Sequence, residues 1–117
     1  MPYIEIKVNQ LEGDGLLECL NERIAEGMNV SRERIILSWE ALEYSGFYRH
    51  PLASDCSDVK PVVIIRVSTR NGEEFMKKLA DVVVEELALM LMIPKQNILL
   101  FIHPIEIGNT YINGEFV

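Results

Sequence analysis

The chain has 117 residues, 49% of them apolar, and 18 acids against 11 bases give it a net charge of −7. That length supports one domain over residues 1–117 with a sizeable core, and the acidity, with no Lys/Arg cluster, excludes a nucleic-acid backbone as partner. The longest apolar run, Leu87 to Ile93, is too short to cross a bilayer, and Cys19 and Cys56 stand alone, without zinc or disulfide spacing.

The first predicted element is an alternating strand, Pro2-Tyr3-Ile4-Glu5-Ile6-Lys7-Val8, in which Ile4, Ile6 and Val8 share one face. Glu12-Gly13-Asp14-Gly15 forms a turn into an amphipathic helix with Leu17, Leu20, Ile24 and Met28 on one stripe. Cys19 lies beside that stripe and reads as packing filler. Ser31-Arg32-Glu33 leads into a second strand, Ile35 to Leu42. Tyr44, Phe47 and Tyr48 crowd the loop that follows, and His50-Pro51 reads as a terminator. Pro61 opens a third strand, with Val63, Ile65 and Val67 repeating the pattern of Ile4, Ile6 and Val8. A longer helix runs from about Glu73 to Met92, with Asn71 or Thr69 expected as its N-cap. Its inward residues are Phe75, Leu79, Val82, Val83, Leu87 and Met90. A closing strand, Ile98 to His103, is expected to stop at His103-Pro104. The tail from Asn109 to Val117 reads as a hairpin.

The same unit therefore occurs twice, over about 2–48 and 61–115. The two prolines are 59 residues apart, and Ile35-Ile36-Leu37 aligns with Ile98-Leu99-Leu100 at a spacing of 63. The difference is about one helical turn, so the second helix is simply longer. Two β-α-β units side by side predict an α+β fold: a four-stranded mixed sheet with both helices on one face. The other face would carry Tyr3, Glu5, Lys7, Ile36, Ser38 and Glu40 in the first unit. In the second it would carry Val62, Ile64, Arg66, Leu99, Phe101 and His103, which is too apolar for solvent, so an oligomer packing sheet on sheet is expected. Arg66 is expected to pair with Glu5 or Glu40 there. A ferredoxin-like fold is the competing architecture, expected to differ by an antiparallel core.

Pro2 carries the chemical signal. Methionine is usually trimmed before a small residue, and removal of Met1 would leave a secondary amine at Pro2. An unperturbed α-amino group titrates near neutrality, at roughly 7.7–8.0, so such an amine can serve as base or nucleophile. With Met1 retained, Pro2 is a tertiary amide that simply begins a strand.

With its Pro-led β-α-β units and Gly-containing tail hairpin, the chain resembles the tautomerase superfamily, which includes 4-oxalocrotonate tautomerase and macrophage migration inhibitory factor. It is similar to a bacterial branch that begins Met-Pro, has a mid-chain Pro-led strand ending in Arg, and closes on Tyr-x-x-Gly-x-Phe, here Tyr111 to Phe116. The resemblance implies a homotrimer of double units and cofactor-independent keto–enol proton transfer on a small carboxylate substrate, while the lone cysteines and the lack of a signal-peptide pattern predict a reducing, cytoplasmic setting. It implies that Pro2 is the catalytic base, that Arg70 anchors the substrate carboxylate, and that Tyr111 walls the pocket. Leu99 and Phe101 stand where relatives contribute a tyrosine and an asparagine from an adjacent subunit, and Val30 stands where one relative has a lysine. No metal or cofactor is implied. The same resemblance allows a non-catalytic trimeric binding protein with Met1 retained.

Overall fold

The computed structural model describes residues 1–42 and 59–117. Tyr44, Phe47, Tyr48, the His50-Pro51 terminator and Cys56 lie outside the described residues. The first unit comprises β1 (Tyr3–Val8), α1 (Leu16–Met28) and β2 (Ile36–Ala41). The second comprises β3 (Val62–Ser68), α2 (Glu73–Leu91) and β4 (Leu99–Ile105), followed by a hairpin of β5 (Tyr111–Ile112) and β6 (Glu115–Phe116).

The four long strands form one mixed sheet in the order β2-β1-β3-β4. Within each unit the strands are parallel, and β1 meets β3 antiparallel, with Tyr3 opposite Arg66 and Lys7 opposite Val62. The 59-residue repeat converts Tyr3 into Val62 and Lys7 into Arg66. The two pairs therefore exchange under a local dyad, which makes the sequence repeat a two-fold in space. The ferredoxin-like alternative fails, though not for the expected reason, since an antiparallel pair does lie at the centre. What separates the folds is that the strands flanking each helix are immediate neighbours here, whereas the ferredoxin-like unit is split.

Alternation places Ile4, Ile6, Val8, Val63, Ile65 and Val67 on the helix face, all fully buried. They pack with Leu20 and Ile24 of α1 and with Leu79, Val83 and Leu87 of α2. The helices approach closely at Gly27. A Cβ there would lie 2.9 Å from Val82 Cγ1. Both helices end alike, on a left-handed residue whose N–H reaches back to two carbonyls: Asn29 (φ 56°) in α1 and Met92 (φ 56°) in α2.

Three expectations need correction. The N-cap of α2 is Gly72, with no side-chain cap bond; Asn71 and Thr69 belong to the preceding single 3-10 turn. Cys19 is exposed rather than packed. The last strand continues through Pro104 to Ile105. Leu99 N donates to Pro61 O at 3.1 Å, so by alternation residue 104 points its nitrogen to the open edge, where a missing N–H costs nothing.

On the other face, Arg66 pairs with Glu5 at 3.2 Å, as expected, and Lys7 with Glu40 at 3.0 Å. The Tyr3 hydroxyl donates to Ser38 Oγ at 3.3 Å. Beside this polar half, Val62, Ile64 and Leu99 are half-buried, and Phe101 and Ile36 are exposed.

Two stability changes are expected, both read as shifts in urea midpoint. Gly27→Ala gains about 1 kcal/mol of helix propensity but overpacks Val82 at a cost of about 1–3 kcal/mol. It destabilises the parent, and becomes stabilising when Val82→Ala is already present. A side chain in the left-handed region costs about 1–2 kcal/mol, so Met92→Gly raises stability by about 1 kcal/mol.

Candidate functional site

Because β1 and β3 are antiparallel, the start of β1 lies beside the end of β3, and β4 finishes at the same end. A cleft of about 450 Å³ opens there, with Met1, Arg66, Arg70, Ile105, Thr110 and Tyr111 among its lining residues. A second, smaller cavity of about 110 Å³ lies on the helix side and is lined by Pro2, Val30, Arg34, Phe75 and Leu79, among others. Met1 and Asn71 line both. Pro2 is buried, its carbonyl accepting from Ile36 N at 3.0 Å, while Met1 is 59% exposed.

Local structure explains how each group is held. Ser68 closes the end of β3: its Oγ accepts from Arg70 N at 3.2 Å, and its carbonyl accepts from Asn71 Nδ2 at 3.1 Å. The Thr69–Asn71 turn is thereby fixed while the Arg70 guanidinium makes no ion pair among the described residues. Tyr111 is held by the hairpin, its ring 5.1 Å from that of Phe116 at 68°, an edge-to-face contact. No Asp or Glu is found among the described residues lining the cleft, so its charged lining side chains there are Arg66, which Glu5 partly neutralises, and Arg70. A carboxylate is the complementary ligand, since a guanidinium offers two parallel donors to its oxygens.

The structure thus brings Arg70 and Tyr111 into one cleft beside Met1, with Pro2 immediately beneath. It does not bring Leu99 or Phe101 there within one chain. They lie opposite Val62 and Ile64, and at about 3.3 Å per residue Leu99 is roughly 20 Å along the strand from Ile105. His103, opposite Arg66, lines neither cavity. Sequence reasoning missed Arg34 and Asn71 as site residues and placed Arg66 at an interface only. The 63-residue offset, which pairs Arg34 with Asn97 just before equivalent strands, was the available signal. Among the described residues no group of three or more His, Cys, Asp or Glu side chains could hold a metal ion, and no helix is long and apolar enough to cross a membrane. Away from the cleft, the Ser31 hydroxyl donates to the Glu33 carboxylate, and this bond chiefly holds that carboxyl below its ordinary range.

No family model and no curated protein matches the sequence, but solved structures match its fold closely. A fused 4-OT, a wild-type asymmetric trimer, superposes with a TM-score of 0.78 at 17% identity over 97% of this chain and 94% of that one. The chain has the tautomerase-superfamily fold. Macrophage migration inhibitory factor of Toxoplasma gondii gives 0.67 at 16% identity over 98% and 99% of the two chains. A member of the cis-3-chloroacrylic acid dehalogenase family gives 0.74 at 9% identity over 98% and 82%. At these identities the tautomerase-superfamily likeness concerns architecture, and the chemistry has to be argued from the cleft itself.

The Glu5–Arg66 pair is half-exposed on both sides, so it contributes little to stability. Glu5→Gln is expected to leave stability within about 1 kcal/mol while releasing the second guanidinium of the cleft. Binding of a small carboxylate such as benzoate, followed by titration calorimetry, should tighten in that variant.

Proposed function

We propose that the chain is a tautomerase-like isomerase, a single domain that moves a proton between carbon and oxygen of a small keto–enol carboxylate without a cofactor. The observation that carries this reading is the arginine-lined cleft at the Met1–Pro2 junction. Loss of Met1 converts the Pro2 nitrogen from a tertiary amide to a secondary amine at the point where the large cleft and the small cavity adjoin. That amine takes a proton from the carbon α to the substrate carbonyl, and the electron pair moves to the carbonyl oxygen. Returning the proton to that oxygen completes the enol and regenerates the free amine. Arg70 holds the substrate carboxylate, and its charge favours the unprotonated amine. Tyr111 walls the cleft.

The same reading makes the protein a homotrimer. Its apolar patch of Val62, Ile64, Leu99 and Phe101 is covered by neighbouring copies, which present Leu99 and Phe101 to one another's clefts. Two observations support this: the exposure of Phe101, and the trimeric assembly of the fused 4-OT neighbour. Solution mass by light scattering tests it, and a monomer would remove the basis for those two residues.

A second reading is a non-catalytic binding protein of the same fold with Met1 retained. In that reading the peptide bond to Met1 leaves Pro2 with no basic nitrogen. Intact mass of protein from its native host separates the two. If Met1 is absent, Pro2→Ala should abolish enol–keto interconversion in a screen of small enol acids. Arg70→Ala should raise KM roughly tenfold to a hundredfold, the loss of one charge-assisted contact. A retained Met1, or full activity in Pro2→Ala, overturns the catalytic reading.

A further inference from the structure

The local dyad gives the sheet a second end, equivalent in backbone to the Pro2 end. There Pro61 takes the place of Pro2, its carbonyl accepting from Leu99 N at 3.1 Å as that of Pro2 accepts from Ile36 N at 3.0 Å. Lys60 takes the place of Met1, and Asn97 the place of Arg34. Lys60 is only 8% exposed, the single buried charged side chain among the described residues. Its ammonium makes one hydrogen bond, to Asn97 Oδ1 at 3.3 Å, and meets no carboxylate among the described residues. Asn97 is itself tied down, Nδ2 donating to Val59 O at 3.3 Å, and the Lys60 N–H donates to Asn9 Oδ1 at 3.4 Å.

A buried ammonium has three donors, and two remain unused among the described residues. Taking such a charge out of water without a counter-charge is costly. The cost is conspicuous in a chain with 18 acids to 11 bases, where counter-charges are abundant. The other proline end shows the same choice, with the cation on the partner position: Arg34 lines the cavity beside Pro2 and has no ion pair among the described residues. Among the described residues, both ends of the dyad therefore set a cation without an ion pair beside a strand-opening proline. At the Pro61 end the cation is a single amine fixed by Asn97, next to the apolar Val59 and Ile98.

We propose that the Pro61 end is a second anion site, in which the Lys60 ammonium binds a small carboxylate through its two unused N–H donors, with Asn97 as a positioning residue. The site is separate from the cleft at Pro2 and binds without chemistry, because the Pro61 nitrogen is locked in a peptide bond. Two oxygens on one carbon match two donors on one nitrogen, and a short aliphatic group is suited to the apolar neighbours.

The test is an amide NMR titration of the isotope-labelled full chain carrying Arg70→Ala, with sodium propionate at constant ionic strength. Saturable shifts are expected at the Val59 and Lys60 amides and at the Asn97 side-chain amide. Lys60→Met places there the residue that the first unit already uses, and should weaken these shifts by roughly tenfold or more. Lys60→Arg should retain them. Absence of saturable shifts at Val59, Lys60 and Asn97 overturns the proposal, and that result needs no variant at Lys60 to fold. So do shifts that survive unchanged in Lys60→Met. Shifts confined to Arg66, Arg34 and Tyr111 also overturn it, while leaving the reading of the Pro2 cleft untouched.

Discussion

The antiparallel pairing of β1 with β3 is the constraint on which the rest depends. It joins two units that could each form a parallel strand pair but could not alone bury both faces of a helix–sheet layer. It sets the dyad, and the dyad decides which residues meet. The start of one unit lies against the end of the other's first strand, so Met1 and Tyr3 come beside Arg66, Ser68 and Arg70 without any special loop. The register is firmly held because a slip by one residue would turn Ile4, Ile6, Val63 and Ile65 outward and drive Glu5 and Arg66 into the helix layer. Six fully buried side chains on the two central strands oppose such a slip.

Given a symmetric frame, function has to come from broken symmetry. The break is in side chains and in what covers each end. β4 runs parallel to β3, so it delivers the chain to the Pro2 end at Ile105, and the hairpin of β5 and β6 closes over that end alone. At the opposite end Arg66 is matched by Lys7, Ser68 by Asn9 and Arg70 by Leu11, so the backbone is conserved by the repeat while the guanidinium pair is not. The Met1/Lys60 and Arg34/Asn97 exchanges carry the asymmetry further. Across these two exchanged positions each end keeps one cation, on a different element, and this alters how far that cation is buried.

Much of the fold was legible because two periodicities coincide. Period-two runs at Ile4-Ile6-Val8 and Val63-Ile65-Val67 sit at the same offset from their prolines, and a helical stripe follows each. The Arg66–Glu5 pair was legible for the same reason: alternation puts both on one face, and adjacent antiparallel strands bring diagonal partners within reach. Strand ends and caps were not. Pro104 stays in β4 only because its nitrogen points off the sheet edge, which depends on ladder phase and not on residue type. Gly72 takes the cap position from Asn71 and Thr69 because the intervening 3-10 turn uses those two residues. Of the site, Arg70 and Tyr111 could be placed by resemblance, whereas Arg34 and Asn71 converge on the Pro2 cavity only through the folding of the loops that carry them. Nothing in the sequence singles out Lys60, since burial of that kind is a property of the packed end.

The two arginines of the cleft illustrate how position within an element sets availability. Arg66 is inside β3, where the pleat fixes its neighbours, and a diagonal carboxylate at Glu5 pairs with it at 3.2 Å. Arg70 is two residues beyond the strand, where no ladder neighbour exists. Its backbone is nonetheless held by Ser68 Oγ and by the Asn71 contact to the Ser68 carbonyl. A rigid backbone with an unpaired guanidinium lowers the ordering cost of binding, because the turn need not be organised when a ligand arrives. Arg66 would first have to give up or share Glu5. Of the two guanidiniums, Arg70 would therefore meet a ligand at the smaller reorganisation cost, whereas the field of Arg66 is partly cancelled by its own partner.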